Sequence, residues 1–238
     1  MSATVTDTSV QAARPAPASG RAIEPVPDKS VDAVITDPPY FDFVHYSELS
    51  DFFYAWLAPV LRGEYEYFTP PDSSHTSEVQ DRHPAKFASK LARVFGECRR
   101  VLKDDGILSF SFHHSRAEGW VSIYEAVTAA GFEVVAAHPI YGEMKGASPK
   151  SSTKEPITLD AVLVCKKSAG VHARAENLAE EIRLKTESIC RELQASGFSL
   201  SQADTYVVAM SNALAVGSRA GLTPTEMPDL LSKFTLPR

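Results

Sequence analysis

An apolar run, Val31-Asp32-Ala33-Val34-Ile35-Thr36, ends abruptly at Asp37-Pro38-Pro39-Tyr40, and this junction constrains the chain more than any other feature. The run reads as a buried β-strand. An acid, two prolines and an aromatic at its carboxyl end place polar chemistry where open α/β sheets bind ligands. A plainer reading is a turn closing a strand, since Asp and Pro are ordinary turn residues.

These residue types suit a planar exocyclic amine. An amine conjugated to a purine or pyrimidine ring is a poor nucleophile because its lone pair is delocalised, so an acceptor must pull on its hydrogens. The Asp37 carboxylate can accept one N–H and the Pro38 carbonyl the other, with the prolines fixing φ so that the carbonyl is held in place. Tyr40 offers a flat face for an extruded base, a stacking interaction of roughly 1–3 kcal/mol. No covalent intermediate is needed, so no catalytic cysteine is expected.

The strand and Asp37-Pro38-Pro39-Tyr40, followed by Ser47-Glu48-Leu49-Ser50-Asp51-Phe52-Phe53-Tyr54, resemble the amino-group DNA methyltransferases of the Asp-Pro-Pro-Tyr type. More closely, the chain from about Pro25 onward, including Leu200-Ser201-Gln202-Ala203-Asp204 and the Ala-rich helix after it, resembles the large adenine-specific DNA methylases. The resemblance implies a Rossmann-like fold, S-adenosylmethionine as methyl donor, DNA as partner and transfer to the exocyclic nitrogen of adenine. Asp37, Pro38, Pro39 and Tyr40 match the family's catalytic motif residue by residue.

The family's donor site rests on a glycine-rich turn after the first strand and an acidic residue ending the second, both upstream of the catalytic motif. Here 36 residues precede Asp37, and Met1 through Gly20 are Ser/Thr/Ala/Pro-rich without an apolar period. Residues 1–22 are expected to be disordered. Gly142-Glu143-Met144-Lys145-Gly146 spaces its glycines wrongly for a substitute. The fold expected is therefore α/β, the second half of a class I methyltransferase sheet over residues 23–168, with a helical appendage over 169–238. Its catalytic strand would be a long apolar edge open to a second polypeptide.

Composition narrows the class. At 238 residues, 44% of them apolar, the chain can bury one core. No run reaches membrane-spanning length and no signal-peptide layout opens the chain, so a cytoplasmic protein without a membrane partner is expected. Cys98, Cys165 and Cys190 are odd in number and far apart, which supports neither a disulfide framework nor a metal site. The net charge of −6 does not advertise a nucleic-acid binder, although phosphate affinity depends on local patches. Lys86, Lys90, Arg93 and Arg100 form such a stripe on a helix, and Phe87, Leu91, Val94, Cys98 and Val101 form another. The stripe is either a nucleic-acid face or a solvated outer face.

Leu49, Phe52, Phe53, Trp56, Leu57 and Val60 recur at helical spacing after a cap at Ser47, and this face is expected to be core. A long polar loop, Arg62 to Pro84, follows. Then come the basic helix, the turn Lys103-Asp104-Asp105-Gly106, a strand from Ile107 to His113, and a helix from Trp120 to Ala130 stopped by Gly131. Phe132 to Tyr141 and Leu159 to Cys165 read as the last two strands. His113 and His114 end their strand on the rim that carries Asp37, either closing a base pocket or terminating a strand, and His45 borders Tyr40. The tail reads as helices, with Thr223-Pro224-Thr225-Glu226 laid out as a capping box.

Two functions of different class follow. The chain is the catalytic-motif half of an adenine methyltransferase completed from elsewhere, or a relict or regulatory module that binds nucleic acid or a partner without methylating. An RNA amino-methyltransferase is a further alternative, since the motif recognises an amine rather than one base.

Overall fold

The computed structural model describes residues 26–41, 46–74, 78–142, 157–170, 172 and 177–234. Strand β1 (Val31–Thr36) is followed by α1 (Tyr46–Leu61), a 3-10 turn (Glu66–Phe68), α2 (Pro84–Val101), β2 (Leu102–Phe112), α3 (Ala117–Ala129), β3 (Phe132–Tyr141) and β4 (Leu159–Lys167). Helices α4 (Leu178–Ala195), α5 (Gln202–Arg219) and α6 (Met227–Leu231) complete the chain. The four strands form one mixed sheet in the order β1-β2-β4-β3. β1 runs parallel to β2, and β4 is antiparallel to both β2 and β3. The expected α/β class, with a last strand that returns directly, is observed.

Helix α2 forms because Pro84 occupies its first turn, where a missing N–H costs nothing. Phe87, Leu91, Phe95, Cys98 and Val101 recur on one stripe and are buried. Phe95 meets Phe110 of β2 with ring centroids 5.0 Å apart. Each such side chain contributes about 1.5–3 kcal/mol on burial. The helix is therefore placed by its apolar stripe and not by surface ion pairs worth ~0–1 kcal/mol.

The turn Lys103-Asp104-Asp105-Gly106 does not precede β2 as expected but loops out inside it. Leu102 already pairs with Val31, and the register resumes at Ala33 with Ile107. The loop is pinned by Lys103 to Asp32 at 2.6 Å, Lys29 to Asp104 at 2.9 Å, and the Lys167 ammonium donating to the Leu102 carbonyl at 2.7 Å. Helix α3 begins three residues earlier than expected and stops, as expected, before Gly131, whose φ of 78° is open to glycine without strain.

One sheet face carries Val34, Leu108, Phe110, Phe112, Ala161, Leu163 and Cys165, and it joins residues of α2, α3, α5 and α6 in a single core. The C-terminal helices belong to this core. Ser201 and Asp204 form a capping box that starts α5, and the Asp204 carboxylate also accepts the amides of Thr158 at 2.7 Å and Leu159 at 3.0 Å, tying the helix to the start of β4. At the other end of α5, the Ser218 hydroxyl accepts the Val134 amide. The Thr223/Glu226 pair is also present, with the Thr223 amide and hydroxyl both donating to Glu226, but it closes a turn and α6 begins only at Met227.

Among the described residues no helix covers the opposite sheet face. By the alternation of the pleat it carries Ala33 and Ile35 of β1, Ile107, Ser109 and Ser111 of β2, and Val162 and Val164 of β4. Ala33 and Ile35 are exposed, Ile35 at 81%, and the others are half-buried. Among the described residues no strand pairs the outer edge of β1.

Helix α1 reverses one expectation. Leu49, Phe52, Phe53, Trp56, Leu57 and Val60 are exposed, Trp56 at 72%, and the buried residues are Tyr54 and Ala58 on the other side. That side carries the segment that follows the helix. The Tyr54 hydroxyl donates to the Pro70 carbonyl at 2.7 Å, its ring lies 5.4 Å from Phe68, and Asp51 accepts the Ser73 amide at 2.7 Å. The expected long loop is thus partly structured, wrapped on α1.

Candidate functional site

Asp37 stands at the carboxyl end of β1, exposed, on the pleat position that continues the bare face from Ile35. Pro38 is buried, and Pro39 and Tyr40 are half-buried. Phe41 then takes φ of 50° with its side chain buried, which turns the chain sharply inward. Its ring packs against Phe87 and His114, each at 5.5 Å, with the Arg116 guanidinium 5.6 Å above it. A left-handed phenylalanine is uncommon, and here its burial among aromatic rings holds it.

A polar chain runs along the rim. The Tyr40 hydroxyl donates to Ser111 Oγ at 2.9 Å, and the Ser111 hydroxyl donates in turn to Asp37 Oδ1. Since a serine has a single proton, the direction of both bonds is fixed. Burial pushes the Tyr40 phenol well up from its ordinary value, and the carboxylates of Asp160 and Asp37 add to this, so it stays a neutral donor across the physiological range. The Tyr40 ring rests on Phe112 at 5.4 Å and meets His113 edge-on at 5.0 Å. His113 Nδ1 bonds the Asp160 carboxylate, and both side chains are buried. Gly142 permits this pair, because a Cβ there would overlap the Asp160 carboxylate.

The two adjacent histidines separate. His113 joins the rim, whereas His114 turns into the core. The His114 ring nitrogen accepts the Arg116 amide at 3.0 Å, its carbonyl accepts the Trp120 indole N–H at 2.9 Å, and its ring occupies the space left by Gly119. His114 is thereby built into the start of α3. His45 lies outside the described residues. Lys86, Lys90 and Arg93 sit along α2, and no described contact joins them to Asp37. Lys90 is committed to Asp81 at 3.1 Å, while Lys86 and Arg93 are exposed. Arg100, from the same stripe, pairs with Glu97 and Asp28. A cavity of about 310 Å³ between β3 and α4, lined by His138, Pro139 and Leu193, lies at the far edge of the sheet from this rim.

Ser111, Asp160 and Phe41 escaped the reading of the sequence. Asp160 carried a signal, a carboxylate within the apolar run Leu159 to Cys165, which a buried strand tolerates only with a partner. Ser111 carried a weaker one, since period-2 alternation with Phe110 and Phe112 places it on the other face.

Cys98 and Cys165 are buried, and burial pushes both thiols up, Cys98 to about 11. Among the described residues no group of His, Cys, Asp and Glu is arranged to hold a metal ion, and no helix is long and apolar enough to cross a membrane.

No family model and no curated protein matches the chain. Among solved structures, the chain is similar to a protein of Thermus thermophilus described as a candidate DNA modification methylase, at 18% identity and a TM-score of 0.30. The match covers 69% of this chain and 56% of that one, so the chain spans little more than half of its neighbour's length.

Proposed function

We propose that this chain is the acceptor half of an S-adenosylmethionine-dependent methyltransferase acting on the exocyclic amine of adenine in DNA. The observation that carries the reading is the Tyr40–Ser111–Asp37 chain, which holds an exposed carboxylate in a fixed orientation beside a half-buried aromatic ring. Asp37 accepts one amine hydrogen, and the Pro38 carbonyl accepts the other. Tyr40 is braced through its hydroxyl and supplies the stacking surface. Ser111 is a positioning residue, since it acts through Asp37 and Tyr40.

The described residues do not fit the methyl donor. Neither a glycine-rich turn after a strand nor an acidic residue ending a second parallel strand adjoins Asp37 among them, and β1 ends the sheet. The donor site is assigned to a segment outside these residues.

The test is made in the natural host, where any second polypeptide is present. Deleting the gene is expected to remove a subset of N6-methyladenine from genomic DNA, read by mass spectrometry of nucleosides. Wild-type chain restores it, and Asp37→Ala does not. Ser111→Ala restores it at a rate reduced about 10–100-fold, the scale expected when a reacting group loses its orientation. Unchanged DNA methylation on deletion, or full restoration by Asp37→Ala, overturns the proposal.

A further inference from the structure

We infer that His113 and Asp160 are positioning residues of the acceptor site, a buried pair that sets the plane of the Tyr40 ring on which the base stacks. The inference rests on the reading of Tyr40 as the stacking surface and adds to it the residues that orient that surface.

Tyr40 is not oriented by its own anchor. The hydroxyl bond to Ser111 at 2.9 Å fixes the tip of the side chain, but the hydroxyl oxygen lies on the axis about which the ring turns. That bond leaves the ring plane undetermined, and the last torsion of an aromatic side chain is broad. Stacking depends on this plane, because a base lies flat against the ring. Two neighbouring rings define it. Phe112 lies 5.4 Å away at 57°, and His113 lies 5.0 Å away at 84°. Phe112 is fixed by the core around it. His113 requires a restraint of its own, since an imidazole can turn over and present either edge.

Asp160 supplies that restraint. It stands one residue beyond the last β2–β4 pair, Phe112 with Ala161, and so lies across the sheet from His113. A carboxylate only accepts, so the Nδ1 that it bonds carries the proton, and the ring is held with Nδ1 turned toward Asp160. Asp160 is held in turn. A Cβ at Gly142 would lie 2.0 Å from its Oδ2, and glycine leaves that space to the carboxylate. The amide of Leu159, the residue before it, is bound by Asp204 of α5 at 3.0 Å. Restraints thus run without a break from α5 through β4 and His113 to the ring of Tyr40.

Stability does not account for the pair. His113 is 6% exposed and Asp160 9%, and the cost of taking both groups out of water offsets most of what their attraction contributes. Apolar side chains of similar volume would hold β2 to β4 at least as well. What the polar pair adds is direction, because a hydrogen bond fixes the rotation of a ring and an apolar contact does not. That direction is delivered at Tyr40, so the pair acts through Tyr40 and not on the amine.

Two variants take the pair apart. Asp160→Asn keeps an acceptor for His113 but offers an amide that can face either way, so the imidazole is no longer held in one orientation. His113→Asn keeps an N–H for Asp160 and removes the ring beside Tyr40. Extracts of the gene-deletion strain carrying each variant are supplied with S-adenosylmethionine and with DNA from that strain, and N6-methyladenine formation is followed against DNA concentration. The maximal rate per folded chain is expected to fall about tenfold in both variants, as when a reacting group loses its orientation, with the half-saturating DNA concentration held within about twofold. Ser218→Ala is the control. It removes the acceptor of the Val134 amide, which lies toward the other end of β4 from Asp160, and should lower the urea midpoint without lowering that rate. In parallel, the purified chain carrying ring-labelled tyrosine, with Tyr40 assigned through Tyr40→Phe, is expected to give one set of Tyr40 ring signals by NMR in wild type and a doubled set in Asp160→Asn. A wild-type maximal rate in either variant, an equal loss of rate in Ser218→Ala, or a rise in half-saturating DNA alone overturns the inference. If wild-type extracts form no N6-methyladenine, the proposed reaction fails and the ring signals decide, a single unaltered set in Asp160→Asn overturning the positioning role.

Discussion

Replacing Asp204 tests whether the C-terminal helices are one cooperative unit with the sheet. Its carboxylate is 1% exposed and accepts from the amides of Thr158, Leu159 and Ser201 and from the hydroxyls of Thr158 and Ser201. In Asp204→Ala the Leu159 amide is left buried without an acceptor, at about 1–3 kcal/mol. Loss of the capping box adds ~1 kcal/mol. The half-buried Thr158 and Ser201 groups can recover bonds to water, so the total expected is about 2–4 kcal/mol. Asp204→Asn keeps one acceptor oxygen for the sheet amides but turns a donor toward Ser201, and about half of that loss is expected. Burial alone would raise the Asp204 pKa, but the amides of Ser201 and Thr158 outweigh it and hold the carboxyl below its ordinary value. A depressed folded-state pKa gives stability that is present above the unfolded value of about 3.9 and is lost as pH falls through the folded one. Urea unfolding of wild type and both variants between pH 3 and 7 measures this. Wild type should lose stability below pH 4 more steeply than Asp204→Asn. A loss under about 1 kcal/mol in Asp204→Ala at pH 7 would refute the claim that this carboxylate joins helix to sheet.

Two further perturbations separate surface from core. The triple change Phe52→Ser, Phe53→Ser and Trp56→Ser is expected to leave the thermal midpoint of the isolated chain within a few degrees of wild type and to reduce its self-association in sedimentation, because these side chains lie in water. A drop of tens of degrees would show that they are core after all. Asp160→Ala removes the buried carboxylate that His113 Nδ1 bonds and should cost about 1–3 kcal/mol in urea unfolding, the scale for a lost buried hydrogen-bond partner. A cost near zero would place the pair outside the folded rim.

Local periodicity sufficed for most of the elements. Phe87, Leu91, Cys98 and Val101 at helical spacing found the buried face of α2, and Gly131 marked the end of α3, because each signal acts within a turn or two of chain. Long-range pairing was invisible. Leu102 takes its place in β2 because Val31 lies opposite it, across a sequence gap that no local pattern reports, and the turn at 103–106 becomes an insertion instead of a boundary. The rim was half legible for the same reason. Asp37 and Tyr40 adjoin in sequence, whereas Ser111, which joins them, arrives from β2 and Asp160 from β4.

Helix α1 shows what periodicity omits. The spacing of Leu49, Phe52, Phe53, Trp56 and Val60 correctly reports an apolar stripe, but a stripe states only that the face is to be covered, not that the same chain covers it. Here Tyr54 and Ala58 hold the helix to the segment from Phe68 to Ser73, and the stripe faces outward. Charge bears on what could cover it. Its charged groups, Glu48 and Asp51, are acidic and it has no Lys or Arg of its own, although Arg82 pairs with Glu48 at 3.0 Å. Among the described residues, the exposed large apolar side chains between Val31 and Val60 belong to β1 and α1, and in neither element does periodicity report which chain covers them.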